Sequence, residues 1–137
     1  MQKKLYLLAV IFFLGFCFNP VSADEAYEKA KVLFDKKKYS KALQELNFSN
    51  SNTENRLNIM FLKGLLQIQL GYVQEASKTF QKLAIEYPNN PEIHNNLAVI
   101  YNLTNDLMKA EASLKDALNT NPSYKTAYEN LGKLYAQ

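Results

Sequence analysis

Small apolar residues recur along the chain with one fixed spacing. One series, at positions 30, 64, 98 and 132, consists of alanine and glycine, and a second series places alanine at 42, 76 and 110. Neighbours in both series are separated by the same distance, and a large apolar residue follows each alanine of the second series by four places. Pro88 and Pro122 repeat at that distance too. This period, about 34 residues, is typical of a solenoid built from helix–turn–helix units.

This pattern predicts an all-α fold with seven helices. The first helix of each repeat is expected near 24–36, 57–70, 91–104 and 125–136, and the second helix near 39–48, 73–86 and 107–120. Proline lacks a backbone N–H and disfavours helix in the residue before it, so Pro88 and Pro122 end second helices. Pro91 is well placed at a helix start.

The small residues have a packing role in this arrangement. Antiparallel helices must approach each other closely within a repeat and against the next repeat, and small side chains allow this while larger neighbours fill the remaining space. The predicted repeat-packing positions are Ala30, Ala42, Gly64, Ala76, Ala98, Ala110 and Gly132.

The second and third repeats carry the clearest motif. It consists of Gly64, Gly71, Ala76, Phe80 and Pro88 in the second repeat, and of Leu97, Ala98, Tyr101, Ala110, Leu114, Ala117 and Pro122 in the third. This motif resembles the tetratricopeptide repeat family, although Glu54 occupies the proline position of the first repeat. The resemblance implies a right-handed superhelical solenoid of antiparallel helix pairs with a concave face. The repeats would span about 24–56, 57–90 and 91–124, followed by a half repeat or capping helix at 125–137.

The N-terminal segment 1–23 has the parts of a secretory signal peptide in their usual order. Lys3 and Lys4 precede an apolar run from Leu5 to Phe18, and small or aliphatic residues lead up to Ala23. A run of this length is short for a membrane span. We therefore expect export, most simply to a bacterial periplasm. The alternative is an uncleaved anchor in the inner membrane, with the repeats facing the periplasm.

The charge balance and the cysteine content argue against nucleic-acid binding and against disulfide or thiolate metal sites. Of 16 basic residues, Lys3 and Lys4 lie in the N-terminal segment, which leaves 14 against 13 acidic residues. A nearly neutral body has no general attraction for nucleic acid. The single cysteine, Cys17, also lies in that segment. The rest of the chain therefore contains neither a disulfide nor a thiolate metal site.

The residues needed for catalysis are scarce. His94 is the only histidine, and no second His or Cys is present to complete a metal site with it. It falls at a helix position that Met60 and Tyr128 occupy in the neighbouring repeats, so we interpret it as structural. We predict no catalytic residue, no metal and no cofactor, and therefore no enzyme.

The resemblance also implies a binding surface, because first helices line the concave groove in tetratricopeptide repeat proteins. The corresponding groove positions are Tyr27, Lys31, Phe34, Asn58, Phe61, Leu65, Ile68, Glu92, Asn95, Val99 and Asn102, with Glu129 and Lys133 continuing the row. An apolar centre flanked by amides and charges suits a peptide or protein partner. Leu65 and Ile68 could instead belong to the interhelix core.

Two further surfaces offer other contacts. Lys36, Lys37, Lys38 and Lys41 cluster at the first turn; they fit a solvated turn, or transient contact with anionic lipid or an acidic partner. Three alternatives remain for the last helix: it caps the stack with a polar outer side, including Asn130, it leaves an edge open for self-association, or it belongs to a truncated fourth repeat. The predicted function is an exported interaction scaffold, with a membrane-tethered assembly factor as the alternative.

Overall fold

The computed structural model describes residues 22–47 and 54–136. Seven α-helices form within these ranges, and no strand occurs in them. They are α1 Ala23–Asp35, α2 Tyr39–Asn47, α3 Arg56–Gln69, α4 Val73–Glu86, α5 Pro91–Leu103, α6 Leu107–Thr120 and α7 Lys125–Tyr135. The prediction of an all-α solenoid with seven helices is confirmed. Most of the predicted signal peptide, residues 1–21, lies outside the described residues, as do residues 48–53 and Gln137.

Polar side chains mark where several helices begin. The Ser22 hydroxyl accepts a hydrogen bond from the backbone N–H of Glu25 at 3.1 Å, which caps α1. Asn90 caps α5 through the N–H of Glu92 at 3.0 Å, with proline at the first helical position as expected. Asp106 caps α6 in the same way. Each cap satisfies a backbone donor that the first turn leaves without a helical partner.

The turn inside each complete repeat has one shared backbone conformation. Lys37, Gly71 and Asn105 occupy the same position in successive repeats, and all three have positive φ, at 55°, 75° and 59°. The N–H after each of them returns to a carbonyl five residues earlier, as from Tyr72 to Gln67 at 2.8 Å. This is the closing motif of a helix that ends on a left-handed residue. The helix pair therefore turns back at the same place in every complete repeat.

The helices are held together by three clusters of buried apolar side chains that follow one another along the stack. Six of the seven predicted packing positions are buried, namely Ala30, Ala42, Gly64, Ala76, Ala98 and Ala110. Gly132 differs: it is exposed, and a β-carbon there would have no atom within 4 Å. The equivalent Gly64 packs against the second helix of its own repeat, whereas among the described residues no second helix follows α7.

First helices of neighbouring repeats also touch each other directly, because α1 contacts α3 and α5 contacts α7. These first helices form one layer of the stack, and α2, α4 and α6 form the other. The layer of first helices is the one on which the groove was predicted. Within residues 22–47 and 54–136, no helix is long and apolar enough to cross a membrane.

Candidate functional site

The predicted groove positions differ widely in exposure. Four of them are exposed: Lys31, Asn58, Glu92 and Asn102. Six are half-buried: Tyr27, Phe34, Phe61, Leu65, Ile68 and Val99. Asn95 is buried, with 6% of its surface exposed. The first-helix layer therefore offers polar side chains to a ligand at several points, while much of its apolar surface is already used by the fold.

The centre of the predicted groove contributes to the core. The ring of Phe61 meets the ring of Phe80 edge-on, with centroids 5.3 Å apart and planes at 85°. Leu65 and Ile68 pack against the same buried cluster. Part of the surface of Leu65 and Ile68 is therefore packed in the interhelix core, as the alternative assignment expected. Removing Phe61 would disturb the packing of Phe80 as well as any groove contact.

The aromatic groove residues of the first repeat also contact neighbouring side chains of the fold. The ammonium of Lys31 lies 5.3 Å from the ring centroid of Tyr27 and 3.2 Å from a carboxylate oxygen of Glu28. The ring of Phe34 lies 5.4 Å from that of Tyr39 at the start of α2. Lys31 already has a local carboxylate, which reduces what it can offer to an acidic ligand.

Asn95 joins two first helices instead of facing a ligand. The amide of Asn130 in α7 donates to the side-chain oxygen of Asn95 in α5 at 2.8 Å. Asn130 was predicted on the polar outer side of a capping helix, but it is half-buried and points inward to this bond. A buried amide needs such a partner, because an unpaired one costs free energy. The bond fixes the spacing between α5 and α7.

A pocket lies where α5, α6 and α7 meet, and its volume is about 110 Å³. Its lining is mostly apolar and comprises Ala98, Val99, Leu103, Ala110, Leu114 and Leu134, with the polar residues Asn102, Asn130 and Lys133. Two predicted groove residues, Val99 and Asn102, are brought together there with Lys133, which was expected to continue the row. The other predicted groove residues do not line it.

The polar residues of this pocket retain unused hydrogen-bonding capacity. Among the described residues, the side-chain amide of Asn102 and the ammonium of Lys133 have no hydrogen-bond or ion-pair partner. Asn130 uses its N–H group on Asn95, which leaves its side-chain oxygen as an acceptor. Unused donors and an acceptor beside an apolar cavity are the arrangement expected of a ligand pocket.

The sequence contained a signal for part of this pocket. Lys31, Leu65, Val99 and Lys133 occupy one position in four successive repeats, so the period places Lys133 one repeat after Val99. Leu103, Asn130 and Leu134 were not predicted as site residues, and periodicity alone does not identify them. Their contribution depends on the contact between α5 and α7, which is a property of the folded stack.

His94 has a structural contact that recurs one repeat later. Its Nε2 lies 2.7 Å from the carbonyl oxygen of Pro88, so this nitrogen carries the proton and donates. The hydroxyl of Tyr128 donates to the carbonyl of Pro122 at 3.2 Å. The two pairs are one repeat apart, so histidine and tyrosine perform the same bridging role. This supports the structural interpretation of His94.

Ion pairs explain the carboxyl groups whose pKa is shifted. A double hydrogen bond from Arg56 lowers the pKa of Glu86 below its ordinary value of 4.5. Hydrogen bonds from Lys109 lower the pKa of Asp106, the cap of α6. None of these groups lines the pocket. Within the part of the chain that the structure describes, no group of three or more His, Cys, Asp or Glu residues could hold a metal ion.

Comparison with known proteins identifies the repeats. Two family profiles, each described as "Tetratricopeptide repeat", match residues 57–89 and 79–112. The stretch from 57 to 112 therefore matches tetratricopeptide repeats, in agreement with the period of the sequence. The protein ycf37 of Pyropia yezoensis is 32% identical over 113 residues, a match that covers 76% of this chain and 64% of that relative.

Solved structures share the fold at low sequence identity. YrrB, a TPR protein with an unusual peptide-binding site, is 23% identical with a TM-score of 0.74, over 79% of this chain and 56% of its own. PcrH from Pseudomonas aeruginosa is 16% identical with a TM-score of 0.71, over 83% and 89% of the two chains. A further structure shows PcrH in complex with the chaperone binding region of PopB. At these identities the likeness concerns the fold.

Proposed function

We propose that this chain is an exported interaction scaffold that binds a peptide or another protein along its layer of first helices. The observation that carries the proposal is the pocket between α5, α6 and α7, where an apolar cavity adjoins unused polar groups on Asn102 and Lys133. The peptide-binding site of YrrB and the PopB complex of PcrH support this use of the fold. The N-terminal sequence supports export.

A membrane-tethered envelope assembly factor is the second candidate, and one observation favours it. Ser22 caps α1 and Ala23 is buried in the first cluster, although both precede the expected cleavage point. Cleavage after Ala23 would remove a cap worth about 1 kcal/mol. N-terminal sequencing of the protein from envelope fractions decides between them. A start at Asp24 supports the exported scaffold, whereas an intact N-terminus in the membrane fraction supports the tether.

A crosslinked pull-down from envelope extract, read by mass spectrometry, tests the binding surface. The groove variant combines Lys31→Glu, Asn58→Arg and Asn102→Arg, which change exposed side chains on three first helices. The matched control makes the same kinds of change on exposed positions of the second helices, with Lys41→Glu, Gln74→Arg and Asn119→Arg. Both sets leave the buried clusters intact.

We expect partners of the unmodified chain to be retained by the control and lost by the groove variant. Equal retention by both variants would place the binding surface elsewhere on the molecule and contradict the proposal. Loss from both variants would also contradict it, because binding would then depend on general surface charge. Circular dichroism of both variants checks that each is folded.

A further inference from the structure

We infer that the pocket between α5, α6 and α7 takes an aliphatic side chain of a peptide whose next residue is acidic. The aliphatic group would occupy the apolar cavity, and the carboxylate would pair with Lys133. This inference rests on the proposed function, since it assigns a ligand class to the same layer of first helices. It goes further by naming which side chains the site should select and which it should reject.

The size of the pocket sets the first part of this selectivity. Its volume is about 110 Å³, whereas an apolar cavity of about 150 Å³ holds a benzene molecule. A valine or leucine side chain therefore fits better than a phenylalanine or tryptophan ring. The wall is formed by small and branched side chains, among them Ala98, Val99 and Leu114. This apolar part of the lining favours an apolar side chain, because a polar group placed against it would lose its hydrogen bonds to water.

The positive charge of Lys133 beside the pocket determines the second part of the selectivity, the preference for an acidic residue. Two acidic residues, one on α6 and one on α7, already have basic partners: Glu111 lies 2.7 Å from Lys115, and Glu129 lies 3.8 Å from Lys125. Lys133 has no ion-pair partner among the described residues. The charge of Lys133 is therefore available to a ligand carboxylate. Opposite charge near an apolar cavity fixes the orientation of a ligand as well as attracting it.

The two amides supply contacts for the backbone of the same peptide. Asn102 is exposed with both its donor and its acceptor unused among the described residues. Asn130 presents its side-chain oxygen, because its N–H group is bound to Asn95. An extended peptide carries an N–H and a carbonyl at nearly every residue, so these amides can bind it without regard to side chain. The selectivity for particular side chains therefore comes from the cavity and from Lys133.

Fluorescence anisotropy with labelled synthetic peptides tests the inference on the full chain. The peptides share an alanine–serine frame and vary a central pair, in which Val, Leu, Phe or Trp is followed by Asp, Asn or Lys. We expect the Leu–Asp and Val–Asp peptides to bind about tenfold more tightly than Trp–Asp or Leu–Asn, a difference of about 1.4 kcal/mol. No binding by Leu–Asp at about 1 mM, a Kd corresponding to about −4 kcal/mol, would overturn the inference.

Two variants of the pocket sharpen this test. Lys133→Glu should invert the charge preference, so that Leu–Lys replaces Leu–Asp as the tighter ligand. Val99→Trp should fill the cavity from its half-buried wall and remove the preference for aliphatic residues. Lys78→Glu makes the same charge change on α4, at an exposed residue that has no ion pair among the described residues and does not line the pocket, and it should leave the ranking unchanged. A ranking that Lys133→Glu does not alter would contradict the inference.

The outcomes separate this inference from the proposed function. If the groove variant loses its partners in the pull-down while peptides show no aliphatic–acidic preference, the scaffold function stands and the pocket assignment fails. If the peptides show the preference while the groove variant keeps its partners, the pocket assignment stands and the broader surface assignment fails.

Discussion

The ring of Phe80 lies directly against the backbone of Gly64, so that a β-carbon on Gly64 would be only 2.5 Å from Cε2 of that ring. Phe80 is fully buried, and the edge-on ring of Phe61 holds it from another side. The contact joins α3 to α4 within one repeat. It explains why a glycine, which weakens a helix, stands in the middle of α3.

We therefore expect Gly64→Ala to destabilise the chain. Forcing the buried ring to move costs about 1–3 kcal/mol, and the better helix propensity of alanine offsets about 1 kcal/mol of this. Gly132→Ala is the matched control at the equivalent position two repeats later, because it is exposed and has open space around it. It should stabilise by about 0.5–1 kcal/mol. Urea denaturation followed by circular dichroism measures both; equal effects would contradict the packing argument.

Lys37 is the lysine that adopts the left-handed conformation at the first turn, with φ at 55°. A residue with a side chain is strained in this conformation by about 1–2 kcal/mol. Glycine removes this strain, but its greater loss of backbone entropy on folding offsets part of the gain. Lys37→Gly should therefore stabilise the fold by about 0.5–1 kcal/mol. Lys36→Gly, where φ is −80°, should destabilise it. A thermal melt of the two variants distinguishes them, and the same sign for both would refute the assignment.

The bridge from His94 to Pro88 should matter for stability and not for chemistry. His94→Ala removes one hydrogen bond and should lower the free energy of unfolding by about 0.5–1.5 kcal/mol. His94→Tyr should restore most of this loss, because Tyr128 makes the same contact one repeat later. Denaturation of the two variants provides the measurement. A tyrosine variant as unstable as the alanine variant would show that the two bridges are not equivalent.

Three carboxyl groups make stability depend on acid pH. Hydrogen bonds lower the pKa of Glu86, Asp106 and Glu111 in the folded chain, through Arg56 for the first and lysine partners for the others. The unfolded chain then binds more protons. The stabilisation is therefore present above the ordinary pKa, which is 4.5 for the two glutamates and 3.8 for Asp106, and it is lost as the pH falls through the lowered values. Stability should therefore decline on acidification below that range.

Glu86→Gln tests this dependence at one site, because glutamine cannot titrate. Its stability should fall less steeply than that of the unmodified chain in the acid range, as measured by denaturation at a series of pH values. Asp116→Asn is the control, since Asp116 is exposed and forms no ion pair among the residues that the structure describes. An unchanged slope for Glu86→Gln would mean that its bond to Arg56 does not persist in solution.

The repeat period, together with the proline and turn residues, was enough to predict the helices and their turns. Helix formation depends on local spacing of apolar residues and on proline and capping residues, and these are written directly in the chain. The period also locates equivalent positions, such as the three turn residues at Lys37, Gly71 and Asn105. The domain boundaries and the N-terminal signal stay predictions.

The groove was less predictable, for a physical reason. Whether a residue on a first helix faces solvent depends on how the neighbouring repeat packs against it. Phe61 and Asn95 occupy equivalent positions in successive repeats, yet Phe61 packs on Phe80 while Asn95 is buried by its bond to Asn130. A sequence period assigns both residues to the same face and cannot distinguish these environments.

By itself, then, the sequence determined the repeat, the helix bounds and the rows of residues that share a face, because each follows from contacts close in the chain. Only the tertiary structure decided which of those residues remain open to a ligand. The pocket exists because α5, α6 and α7 meet around Ala98, Ala110 and Leu134. The ammonium of Lys133 remains available because of how the other charged side chains pair in the folded chain.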